Sequence, residues 1–204
     1  MRIMAWLATP ASTTVAFLLC AAAPPVAFTP VEPRFAAASG EYEAIWQADG
    51  RRIVAVLEET SGLVFPESPI DVIVSEGSPM TSYDGRTIRL RARYSPDYKK
   101  GTLVHELGHR LALTLPRRAG LDDHRLLYLF LYDAWETLYG RAFADRMVAI
   151  ERRIPGSADY QGAWDWALAL GREERQARLR ALRTRGSASD PRLDIPGKPP
   201  ISGR

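Results

Sequence analysis

Ser95-Pro96-Asp97-Tyr98-Lys99-Lys100-Gly101-Thr102-Leu103-Val104-His105-Glu106-Leu107-Gly108-His109-Arg110-Leu111-Ala112-Leu113-Thr114-Leu115-Pro116 is the stretch that decides how this chain folds. Serine caps free helical amides, proline fits a first helical turn, and aspartate suits the positive end of the helix dipole. Leu103, Val104, Leu107, Leu111 and Leu115 then recur every three or four residues as one apolar stripe, and Pro116 cannot continue it. The spacing predicts a buried helix ending at Leu115. On it His105 and His109 are one turn apart, so both imidazoles reach one point, with Glu106 beside them.

His105-Glu106-Leu107-Gly108-His109 is an H-E-x-x-H sequence. A hydrolytic zinc ion takes three protein ligands and leaves its fourth position to water, whose pKa falls toward ~7. A neighbouring carboxylate then serves as general base. The arrangement nominates His105 and His109 as ligands of Zn2+ and Glu106 as the base. The plainer reading has both imidazoles satisfied by hydrogen bonds on a surface helix. Shuffling this composition yields the pattern about 0.003 times per chain, before any helical context is asked for, which favours the metal. All three histidines of the chain also fall between 105 and 124.

A third ligand must come from further on, and Asp133, His124 and Glu136 compete. If an antiparallel helix starts near 124, residue 132 or 133 is level with the two histidines. Asp133 falls there, and it is the only charge in Leu-Leu-Tyr-Leu-Phe-Leu-Tyr-Asp-Ala-Trp (126–135). A carboxylate among such neighbours is costly unless it is paired or bound to metal. His124 is nine residues earlier and half a turn out of phase, but from a loop it can still reach a metal. Glu136 can orient a ligand histidine or substitute for Asp133.

Upstream, Thr87 to Arg93 alternates strictly, with Ile88, Leu90 and Ala92 on one face and three arginines on the other. It reads as a half-buried edge strand beside a groove. Asp84-Gly85 is its turn signal. Ile70 to Val74 is short and β-branched, hence a second strand, and Glu41 to Glu59 is helical up to a stop at Gly62, with Gly50 a candidate interruption. Downstream, helices are expected over 123–153, with a candidate break near Gly140, and over 159–184. The order indicates an α+β domain: a short antiparallel or mixed sheet, its edge strand packed on the H-E-x-x-H helix, with further helices around it.

The ends differ from this middle. Arg2 precedes an apolar stretch from Met4 to Phe28 with small residues Ala21, Ala22 and Ala23, which reads as a signal peptide or N-terminal anchor over 1–28 and implies an exported protein. Any membrane association would run through that segment. Residues 186–204, rich in Pro, Gly and Ser, read as a flexible tail, leaving one domain over 35–185. Of the 204 residues, 46% are hydrophobic and 25% charged, which is enough for a core. The single Cys20 excludes a disulfide framework and a cysteine-based zinc ribbon. The net charge of +3 is dispersed, and the dense run Arg172 to Arg185 is interleaved with Glu173 and Glu174, so nucleic acid is not an expected partner.

Taken together, helix, strand, edge strand, H-E-x-x-H helix and a following carboxylate-bearing helix resemble the zincin metallopeptidases. The likeness is to gluzincins of the thermolysin type and their reduced forms, the minigluzincins, and covers about residues 41–140. In that family the motif histidines bind zinc, the motif glutamate is the base, and the strand before the helix pairs with an extended peptide. The resemblance places these roles on His105, His109, Glu106 and the Thr87–Arg93 strand. Gluzincins take a glutamate from the second helix, whereas Asp133 here is similar to the arrangement in aspartate-ligated zincins. Ala112 and Leu115 stand where a metzincin extension would need Gly and His. The Tyr132-Asp133-Ala134-Trp135 segment resembles one in uncharacterised bacterial proteins carrying H-E-L-G-H. The implied activity is a zinc-dependent peptidase acting on a peptide or protein. A backbone group or a tyrosine such as Tyr94 or Tyr139 is then the candidate to hold the oxyanion. With thermolysin's larger helical lobe missing, the Trp164 and Trp166 region is a candidate surface for substrate, its plainer role being core packing. The rival is an inactive zincin-like binding module.

Overall fold

The computed structural model describes residues 23–115, 121–156 and 158–187. Among them the chain runs β1 (Val26–Pro30), α1 (Ala36–Ser61), β2 (Ile70–Ser75), β3 (Met80–Thr81), β4 (Thr87–Arg91), α2 (Pro96–Ala112), α3 (Asp123–Tyr139), α4 (Arg141–Glu151), α5 (Tyr160–Ala169) and α6 (Arg172–Ser187). The domain is α+β, with a mixed sheet ordered β1-β2-β4-β3. β1, β2 and β4 are parallel, and β3 runs antiparallel to β4. Ile70, Val72, Val74, Ile88 and Leu90 of the sheet meet Ile53 and Leu57 of α1 and Leu103, Leu107 and Leu111 of α2 in one buried core.

Two strand assignments are corrected. Val26–Pro30 belongs to the sheet, in register with Ile70–Val74, and Pro24 is already buried. A discarded segment therefore cannot extend to 28, and the folded domain begins by Ala23 rather than at 35. An apolar run such as Val26-Ala27-Phe28 suits a strand as well as a signal. The expectation for 1–22 lies outside the described residues, as does the tail from 188 on; residues 186 and 187, expected in that tail, belong to α6 instead. The edge beside the groove is also not Thr87–Arg93: β4 has β2 on one side and β3 on the other. The outer strand on the side of the motif helix is the two-residue β3, too short to show as a pattern. The arginines of β4 and the residues after it hold the loop leading there. Arg89 Nε donates to Ser78 O (2.7 Å), Arg91 Nε to Glu76 O (3.1 Å), and Arg93 pairs with Glu76 (3.5 Å).

Among the helices, α1 passes through Gly50 without a break, and the glycine makes room for the Trp46 ring, from which a Cβ would stand 2.8 Å. Gly62 ends it in the left-handed region, at φ 66°. The Ser95 side chain accepts from the Tyr98 amide and caps α2, as its residue type requires. That helix stops at Ala112, three residues short of Leu115. Buried Arg110 clamps it by donating to Gly85 O, Ser68 O and Ser68 Oγ. Gly140, at φ 86°, separates α3 from α4. The single helix expected over 159–184 is two, because Leu170 is extended.

α3 lies against α2 in a register that controls the site. The Trp135 indole donates to Gly101 O (3.2 Å), while a Cβ on Gly108 would come within 2.6 Å of Leu127 Cδ1. Gly108, inside the motif, thus lets the two helices touch where the histidines are. The start of α3, not its middle, is brought to them.

Candidate metal centre

His105, His109 and His124 converge. Each offers one ring nitrogen, and these three atoms lie within 4.8 Å of one another. His105 Nε2 and His109 Nε2 are 3.0 Å apart. The ring centroids are 4.7 Å apart for 105–109, 5.7 Å for 105–124 and 5.0 Å for 109–124. Nitrogens about 2.0–2.1 Å from one tetrahedral zinc are about 3.3–3.4 Å apart, so small ring rotations close this triangle on an ion. The donor set fits zinc: three imidazoles, with a cleft on the remaining side.

His124, the second residue of α3, takes the place expected of Asp133. α3 is already helical at Asp123, its first amides capped by Asp122, whose carboxylate accepts from Arg125 N at 2.7 Å. Asp133 faces elsewhere and is ion-paired with Arg175 of α6 through both oxygens (2.7 and 3.3 Å), the two side chains 2% and 6% exposed. The charge that looked too costly for an apolar helix is neutralised by an arginine rather than a metal. Glu136 is on the same helix, three residues on, and is not part of the cluster.

Behind the histidines is a residue that sequence reasoning missed. Glu151, the last residue of α4, is 3% exposed. Its Oε1 is 2.7 Å from His105 Nδ1, and its Oε2 accepts from Tyr128 Oη and Trp164 Nε1, each at 3.0 Å. Nδ1 of His105 therefore carries the proton and Nε2 turns its lone pair to the cleft. Trp164 stacks on Tyr128 at 3.7 Å and is fully buried, so it packs in the core and supports the site from behind, and its ring is not a surface for substrate.

Charge within the cluster follows from burial. Burial lowers the pKa of His109 well below its usual value, helped by repulsion from His105 and His124. His124 is pulled down to about 4, again first by burial. Both are neutral imidazoles at neutral pH, the form that binds metal. Burial also pulls on His105, but the charge and hydrogen bond of Glu151 outweigh it and raise the pKa. Burial pushes Glu106 up in spite of His105 and Thr81. The Thr81 hydroxyl contacts Glu106 Oε2 at 2.8 Å and the Glu106 carbonyl at 2.9 Å, which ties the free edge strand to the motif.

The cluster opens on a cleft with two arms that meet at His105, Glu106, Pro79 and Tyr160. One, about 410 Å³, runs along β3 toward Leu113, Asp122 and His124. The other, about 380 Å³, is bounded by Arg91, Tyr94, Tyr98 and Glu151. Of the two tyrosines expected near the site, Tyr94 lines the second arm, whereas the Tyr139 hydroxyl donates to Asp49 (3.3 Å) away from it. Tyr160, which the sequence did not single out, has its ring 4.5 Å from that of His124.

Comparison of the chain with family models, curated proteins and solved structures gives no match. What fold and site define on their own is an α+β domain with a three-histidine cluster able to hold a metal ion.

Glu151→Gln tests the orienting role. The amide keeps a hydrogen bond but loses the charge that fixes the imidazole, and zinc affinity is expected to fall about 10- to 100-fold. Competition with a chromophoric chelator measures it, and unchanged affinity would remove Glu151 from the site.

Proposed function

We propose that this protein is a zinc-dependent hydrolase, and most directly a peptidase, with His105, His109 and His124 as ligands and Glu106 as general base. The observation that carries the reading is the convergence of three imidazoles in a cleft where the H-E-x-x-H glutamate lies between them and an open sheet edge. Zinc bound there would supply a Lewis acid for the scissile carbonyl and lower the pKa of water to about 7.

The chain's own groups account for the rest. Glu106 takes the proton of the attacking water and delivers it to the leaving amine. Its raised pKa brings it nearer the operating pH, which is where a base that must also act as an acid is most effective. Thr81 holds that carboxylate in place. Tyr160 is kept protonated by burial, reinforced by Glu151 and Glu106, so it is available as a hydrogen-bond donor where the carbonyl oxygen gains charge. The Ser82 amide donates to Thr87 O on the β4 side. Alternation then leaves the N–H and C=O of Thr81 on the free side, where an extended peptide can pair with them.

The test is metal content together with cleavage of a mixed peptide library. Protein loaded with one equivalent of zinc is expected to cut peptides internally and to stop when a chelator removes the metal. Bound zinc without turnover of any peptide would instead favour a zincin-like binding module.

A further inference from the structure

We propose that the arm of the cleft beside Arg91 is a carboxylate subsite, so that the preferred ligand is a peptide with an acidic group on that side of the reacting bond. The inference rests on the peptidase reading for the ligand being a peptide. Among the described residues lining the two arms, Arg91 is the one Lys or Arg side chain. Its Nε is engaged by Glu76 O, and its Cζ is 5.7 Å from the Tyr94 ring centroid, which steadies the guanidinium. The terminal nitrogens make no hydrogen bond or ion pair to any described residue, so their donors remain for a ligand.

The other charges in this arm are accounted for. The Glu151 carboxylate is occupied by His105, Tyr128 and Trp164. Glu106 is held by Thr81, and a divalent ion on the histidines would offset both carboxylates. Tyr98 lines the same arm, its ring 4.1 Å from that of Tyr94, and burial raises its pKa, so it adds no negative charge there. Among the described residues the opposite arm has no Lys or Arg in its lining, and it ends at Asp122 and Asp123. Asp122 is paired with Arg125 (2.9 Å), so Asp123 is the acid of that end that makes no ion pair among the described residues, and of the two arms the one beside Arg91 offers a carboxylate free guanidinium nitrogens. The cleft is polarised in charge, and a volume of about 380 Å³ admits a side chain.

Arg91 also braces the loop before β3, so the test must separate charge from structure. Zinc-loaded Glu106→Gln protein, in which cleavage is expected to be too slow to disturb the measurement, is titrated by fluorescence anisotropy with short end-blocked peptides carrying a single Glu at successive positions, each with Gln and Lys counterparts. At the best position Glu is expected to bind about tenfold or more tightly than Gln. The Glu/Gln ratio should fall to about one in Arg91→Gln, and Lys should become preferred in Arg91→Glu. A purely structural role would weaken Glu and Gln peptides alike and leave the ratio unchanged. Equal affinities, a preference that survives Arg91→Gln because the carboxylate grips the metal, or no binding of any peptide would each overturn the proposal. The two readings fail separately. Wild-type protein that cleaves nothing yet shows the Arg91-dependent ratio refutes hydrolysis alone, and cleavage without charge preference refutes the subsite alone.

Discussion

Replacing Glu106 by Gln is expected to lower peptide hydrolysis by about a hundred- to ten-thousandfold while leaving zinc content unchanged. Glu106 is 3% exposed, one residue from the first candidate ligand, and its Oε2 is held by the Thr81 hydroxyl. The amide has nearly the same shape, and its oxygen still accepts from Thr81, so the local packing survives. Only the capacity to take and return a proton is lost. The three imidazoles are untouched, as is Glu151 behind His105. Initial rates on a peptide found in the library experiment, set beside zinc measured by atomic absorption on the same sample, decide the outcome. Activity within a few-fold of the parent would remove Glu106 as the base. Loss of zinc together with activity would make it a structural support instead.

Which parts of this site could be read from sequence follows from the range of the signals. Ser95, Pro96 and the 103–107–111 stripe act within a few residues of each other, so α2, its cap and its two histidines were legible. The third ligand depended on where that helix ends. Taking it to Leu115 sets residue 107 level with 132 or 133. Ending it at Ala112, opposite Asp123, sets 107 level with 128, and His124 is one turn before 128 on the same face. Three residues of helix, replaced by a turn at 113–115, moved the prediction from His124 to Asp133. Arg175, the true partner of Asp133, is 42 residues away in sequence and belongs to the dense run of charges from Arg172 to Arg185.

Glu151 did leave a trace. Phe143, Met147 and Glu151 recur at intervals of four on the buried stripe of α4, so the acid interrupts an otherwise apolar face. A carboxylate there needs donors, and it has three. β1 and β3 left less. The first carries the apolar signature shared by strands and signal segments, and the second is two residues long. The free edge therefore becomes visible only once β4 is seen paired on both sides.

The histidine and the aspartate that compete for the third position can be separated by what each loss does. His124→Ala should abolish retention of zinc through gel filtration and leave the metal-free fold intact, because the ring is only partly buried and sits at the start of α3. Binding to the native state alone stabilises it by about 2.7 kcal/mol at a hundredfold excess over Kd. The parent is therefore expected to melt about 5–10 °C higher with zinc than without. That increment should vanish in His124→Ala. Asp133→Ala should do the reverse. It leaves the Arg175 guanidinium, 6% exposed, without its counter-charge, a loss of about 3–5 kcal/mol. The melting temperature would fall by about 6–20 °C, while the zinc-dependent increment stays. Replacing both partners by leucine removes the stranded charge and should recover most of the stability, since buried pairs gain little over well-packed apolar residues. Calorimetry with and without zinc on the four proteins reads all of this. If Asp133→Ala instead abolished the zinc increment in a still-folded protein, or His124→Ala kept it, the assignment of ligands would be reversed.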